Sequence, residues 1–187
     1  MELKTTANPI DSAGPVKQVL SNLFYGWGYN FYRKENQLRA DDLLIRGKVS
    51  ELLGECRAHA RQLEAQFRRE HLPAPSREHP FPDAPAVGAA QALQRAAQQI
   101  EALETAVRNA AVPEMDRIHQ RHRNERATLD ALVVADSELV VAVIGLRDAV
   151  LALHEGAAAA TEIPRALQAG NIGALWERRE QILSVLQ

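Results

Sequence analysis

An all-α protein is the fold class this sequence predicts, and three observations predict it. Apolar residues recur at alternating steps of three and four along several long stretches, the spacing that lines up one face of a helix. No stretch alternates apolar with polar residues as a half-buried strand does. Pro73, Pro75, Pro80, Pro82 and Pro85 crowd between the first long stretch and the second, so the chain reads as helices joined by a non-helical connection. The architecture expected from these is an elongated antiparallel helical bundle or long helical hairpin, with the C-terminal helix packed back on one end.

In chain order, residues 1–15 mix Thr, Asn, Ser, Gly and Pro without a period and read as a flexible arm, leaving 16–187 as a single helical domain. The apolar positions Leu20, Phe24, Trp27, Phe31, Leu38, Ile45, Val49, Leu52, Cys56, Leu63 and Phe67 predict a helix over 16–71. Gly26 and Gly28 each cost about 1 kcal/mol relative to alanine in a helix, which makes them the place for a break. Residues 72–87 form the proline-rich connection, with Phe81 as its expected anchor. Leu93, Ala97, Ile100, Leu103 and Val107 predict a helix over 86–112. No Ser, Thr or Asp precedes Pro113 as a cap, which favours a kink in a continuing helix over a fresh start. Met115, Ile118, Leu129, Leu132, Asp136, Leu139, Val143, Leu146, Val150 and Leu153 extend the same spacing and predict a long helix. Gly156 and the small residues after it predict a turn, and 164–186 a last amphipathic segment divided at Gly170 and Gly173. Folding 16–71 back against the segment beyond the prolines sets Phe31 near Asn124 to Arg126 and Leu20 near Glu138. The aromatic end then reads as the core, and the proline-linked end as a thinner tip.

Composition narrows the function classes. A chain of 187 residues with 46% hydrophobic residues and a net charge of -2 is ordinary for a globular protein and has no overall field to draw in nucleic acid or anionic lipid. The single Cys56 excludes an internal disulfide and suits a reducing cytoplasm, the expected location. The first residues lack a basic run leading into an apolar one, so no secretion signal is read. Asp130, Asp136, Glu138, Arg147 and Asp148 interrupt the most apolar window, 129–153, and argue against a membrane span.

Two stretches are candidates for function. Residues 23–42 concentrate the aromatics, and Tyr25, Trp27, Tyr29 and Tyr32 are the expected partner-binding residues, because Tyr and Trp bring large contact area at low entropy cost. Tyr25, Tyr29 and Tyr32 lie on a different side of the helix from Phe24, Trp27 and Phe31, so one set can be core while the other meets a partner, and packing of the three tyrosines under the C-terminal helix is the competing reading. Glu35 and Asp42, seven apart, interrupt the first seam and are registered opposite His119, His122 and Glu125. Carboxylates and imidazoles converging from facing helices hold iron or manganese in ferritin-like bundles, which however carry Glu-x-x-His on two helices, and this chain has none. The plainer reading pairs Glu35 and Asp42 with Arg39, Arg46, Arg121 or Arg126. Glu55 and His59 are a further pair four apart. Arg117, Arg121, Arg123 and Arg126 form one basic patch and Arg57, Arg61, Arg68 and Arg69 another, each diluted by acidic neighbours and read first as a solvated face. Cys56 falls on a seam and reads as a small buried hydrophobe.

The leading functional reading is a non-catalytic helical protein-protein interaction or assembly protein, an adaptor or accessory factor without a cofactor, whose partner is a protein and which is free to associate with itself. Its seams resemble those of coiled-coil adaptors, a likeness generic to heptad proteins. The alternatives are a ferritin-like metal-binding helical bundle and a nucleic-acid-associated accessory protein using the basic patches. Elemental analysis separates the first two: protein purified without chelator is expected to carry well under one metal atom per chain. Stoichiometric iron, manganese or zinc that is lost in His122→Ala would assign the acidic and imidazole cluster to metal instead.

Overall fold

The structure, a computed structural model, describes residues 34–77, 80–110 and 125–184, without the side chains of 34–42, 125–130 and 133. The described residues form five helices and no strand: α1 Lys34–His71, α2 Ala84–Asn109, α3 Glu125–Leu151, α4 Gly156–Gly170 and α5 Ile172–Ser184. The all-α class therefore holds, and helices packed against one another make the core. The arm at 1–15, the glycine break at Gly26 and Gly28 and the kink at Pro113 lie outside the described residues.

Each helix has a local cause. α1 buries Ile45, Val49, Leu52, Leu53, Cys56, Ala60, Leu63 and Phe67, the face its spacing predicts, and ends in Arg68, Arg69 and His71, which suit the negative end of the helix dipole. α2 starts at Ala84, earlier than its apolar seam suggests, because the Asp83 carboxylate accepts from the Ala86 backbone N–H at 3.2 Å and Pro85 falls in the first turn, where no helical N–H bond is needed. Its buried face is largely alanine, with Ala86, Ala90, Ala96 and Ala97 around Leu93, Ile100 and Val107, so α1 can approach closely.

The directions of the legs emerge from who meets whom. Arg57 of α1 reaches Glu101 and Arg68 reaches Gln94, so α1 and α2 run antiparallel in nearly the register the sequence predicts. Glu55 meets Arg147 and His59 meets Leu153, so α3 runs back parallel to α1. The expectation that α3 continues antiparallel along the first helix past Pro113, in the register that sets Leu20 near Glu138, is overturned, because Glu55 and not the stretch before Lys34 meets Arg147. Apolar spacing reports which face of a helix is buried and not which neighbour buries it. Asp136 and Glu138 meet Arg179 and Arg178, and a Cβ on Gly170 would lie 4.0 Å from the Ala142 carbonyl, so α4 and α5 together form a leg antiparallel to α3.

Two further expectations change. The turn at 156–163 is the first half of α4, with Pro164 inside the helix, because Ala157 to Ala160 are the best helix formers and Ala159 and Ile163 are buried. The helix does divide next to Gly170, where Asn171 takes a left-handed conformation with φ 43° and α5 begins at Ile172, while Gly173 falls inside α5. The proline-linked end is not a thin tip either, since α4 begins there. A Cβ on Gly156 would lie 2.7 Å from the Phe67 Cβ, so that close approach requires glycine. Phe81 does not anchor the connection but stands 85% exposed, and Leu72 packs on the core in its place.

A pair of glycine substitutions tests this packing. Gly156→Val should destabilise the protein by about 1–3 kcal/mol through overpacking against Phe67. Gly145→Ala, where a Cβ meets nothing within 4 Å, should stabilise α3 by about 0.5–1 kcal/mol. Urea melts of the two variants should shift in opposite directions.

Candidate functional site

The residues named from sequence fall mostly beyond view. Tyr25, Trp27, Tyr29, Tyr32, His119 and His122 lie outside the described residues, while Glu35 and Asp42 sit in the first turns of α1 and Glu125 opens α3, each described by its backbone alone. Since α1 and α3 run parallel in the register of Glu55 with Arg147, their first turns lie at the same end. Among the described residues no group of three or more His, Cys, Asp or Glu is placed to hold a metal ion. Glu55 and His59 do not act as a pair: the Glu55 carboxylate accepts from Arg147 Nε at 2.6 Å, and His59 Nε2 lies 2.8 Å from the Leu153 carbonyl just past the end of α3.

What the fold does assemble is a set of arginines reaching from one helix to the next. Arg46 of α1, although 7% exposed, donates to the carbonyls of Val107 at 3.0 Å, Arg108 at 2.9 Å and Ala110, satisfying orphan acceptors at the C-terminal end of α2. Beside it Arg108 binds Ser50 Oγ at 3.0 Å and the buried Glu104 at 2.6 Å. Arg57 Nε lies 3.1 Å from Glu104 Oε2 without the alignment of a hydrogen bond, so that contact is electrostatic only. Arg57 and Arg61 share Glu101, and Arg68 takes Glu64, which neutralises most of the second basic patch. Arg117, Arg121 and Arg123 of the first patch lie outside the described residues, as does the side chain of Arg126.

The deepest of these contacts joins α5 to α3. Arg179 is 1% exposed and donates through Nε to Asp136, itself 4% exposed, and the guanidinium carbon sits 5.2 Å from the centre of the Trp176 ring. Arg178 reaches Glu138 at 2.6 Å on the outside of the same junction. Sequence reading placed Asp136 on a buried seam but missed Arg179 as its partner. The signal was there, because a carboxylate on a core face needs a cation and 178–179 is an Arg-Arg pair in an amphipathic segment.

Two apolar features remain at the surface. Val134, Val141 and Gly145 are exposed along the outer face of α3, with Val141 at 54%. A shallow groove between the end of α1 and the start of α2 is lined by Arg68, Leu72, Pro73, Pro82, Val87 and Gln91. Cys56 is fully buried, and loss of solvent is the main cause that pushes its thiol from 9.0 up to about 12, with neighbouring Glu55 adding to the shift.

The fold and these contacts define an all-helical protein whose legs are joined by inter-helix arginines. No family model matches the chain, and neither a curated protein nor a solved structure matches it. Among the described residues, no helix is long and apolar enough to cross a membrane.

Two measurements check this geometry. Arg46→Ala should cost about 2 kcal/mol or more, since it leaves acceptors at the buried end of α2 without their charged donor; chemical denaturation reads the loss. Cys56 should resist thiol reagents in the native state at pH 8 and react promptly in urea. Because the folded state holds the thiol proton more tightly, its contribution to stability is intact below about pH 9 and is lost as the pH rises toward 12.

Proposed function

We propose that this is a non-catalytic helical interaction or assembly protein that binds another protein through its helical surfaces, with residues 23–42 and the outer face of α3 as the contact. The observation that supports the reading is the outer face of α3. Exposed positions of α3 include Ala131, Val134, Val141 and Gly145, with Glu138 and Asp148 among them, while those of α1 are mostly charged or polar, as Glu51, Arg61, Arg69 and Glu70, with Leu43 the one large apolar side chain. Val134 and Val141 stand one heptad apart, the spacing a second helix would match. Burying one such valine contributes about 1.5 kcal/mol or more, and an exposed helical glycine leaves space for a partner backbone. Tyr25, Trp27, Tyr29 and Tyr32 supply the aromatic anchors that this α3 surface lacks. An elongated bundle would suit this role by offering long continuous faces, and small-angle scattering should then give an extended envelope.

Affinity capture with the tagged chain from its native cell is the test. A stoichiometric protein partner is expected, and the double variant Val134→Glu/Val141→Glu should lose it by at least about tenfold with an unchanged melting curve, since surface changes away from the core cost little stability. Trp27→Ala should weaken capture likewise. Capture that survives the double variant and Trp27→Ala together would sink the reading.

A further inference from the structure

We propose that residues 16–33, the stretch leading into α1, turn back and dock on the outer face of α3, covering it in the chain by itself. The face is the first observation. Val134, Ser137, Val141, Gly145 and Asp148 follow steps of three and four, so they share one side of α3, opposite the core positions Leu139, Val143 and Leu146. Val134 and Val141 are exposed on that side, and no helix among the described residues covers them.

The second observation is what residues 16–33 carry. Val16, Leu20, Phe24, Trp27 and Phe31 recur at the same steps, a stripe of large apolar side chains that gains by leaving water. The charges agree: the stretch holds Lys17 and Arg33 and no acidic residue, whereas among the described residues the exposed ionisable side chains of α3 are Glu138 and Asp148. Those acids also meet Arg178 and Arg147, so charge favours a cationic occupant while the apolar stripe supplies most of the hold. A second copy of the α3 face would instead set acid against acid.

The third is reach. α1 and α3 run parallel with Glu55 level with Arg147, so Lys34 lies level with the first turn of α3. From there Val134 is about 12 Å along the helix and Val141 about 23 Å, and passing round to the far side of α3 adds roughly 20 Å sideways, a path of about 30 Å to the further valine. Residues 16–33 span about 27 Å as a helix and up to about 60 Å extended, and Gly26, Gly28 and Asn30 give the chain places to turn, so both valines are within reach. Docked, the stretch hides both surfaces assigned above to a partner. That consequence rests on the interaction reading, whereas the docking does not.

Electron–electron double resonance on the full chain alone tests it, with spin labels on Asn22→Cys and Ala149→Cys in a Cys56→Ala background. Docking should give one narrow distance below about 35 Å, since both labels then sit along α3. A first helix running straight on from Lys34 would separate them by about 50 Å, and an undocked stretch would give a broad distribution; either result overturns the proposal. Val134→Glu/Val141→Glu should turn the narrow distance into the broad one, with the bundle still folded by its cooperative melt. A narrow distance that survives this variant would place the stretch off the α3 face and refute the docking too. Dilution with about a tenfold excess of unlabelled chain should leave the signal as it is, and its loss would put the stretch on a second copy and overturn docking within the chain. Because no partner is present, failed affinity capture alongside the narrow distance would refute only the interaction reading and leave the docking standing.

Discussion

Burial of one face of α1 is the constraint on which the other legs depend. Val49, Leu53, Cys56 and Ala60 are fully buried, and the helix that carries them touches α2, α3 and α4 in turn. Removing that stripe from water supplies the non-directional part of the stability, at about 25 cal/mol per Å² of apolar surface. Because α2 answers it with alanines, the two helices approach closely, and the larger side chains of α1 fill the space that α3 and α4 close from the other side.

Apolar packing of this kind tolerates sliding, since one leucine or alanine along a seam resembles the next. Directional contacts remove that freedom. Arg46 ties α1 to the carbonyl end of α2, Arg147 ties α3 to Glu55 of α1, and Arg179 ties α5 to Asp136 of α3. Each of these three junctions thus has a guanidinium whose fork accepts a narrow range of positions. The exposed pairs among them contribute little to stability, and the buried ones act mainly by making alternative registers costly.

The sequence was informative in proportion to how local each feature is. The buried face of α1, the α1–α2 register and the division near Gly170 were legible, because periodicity, a proline-set connection and glycine act within a few residues of themselves. Phe81 was misread because its size suggested burial, while its neighbours Pro80 and Pro82 and the competing Leu72 left it outside. Pro164 was misread as a boundary because proline disfavours helix interiors, yet the alanine run before it and the burial of Ile163 carry the helix through. Glu55 and His59 share a helix face, and that much was correct, but each finds its own partner on α3 or just beyond its end. Among the candidate site residues, only the backbone of Glu35, Asp42 and Glu125 belongs to described helices.

By itself the sequence determined that this chain is helical, which faces of its helices are apolar, and where the first reversal falls, because these depend on spacing, capping and chain stiffness. Only the tertiary structure decided that α3 returns beside α1, that Arg179 rather than another cation meets Asp136, and that Arg46 closes the end of α2. The physical reason is that a periodic pattern states how much of a helix must be hidden from water, whereas the identity of the neighbour is chosen by the three-dimensional competition among all the surfaces that could hide it.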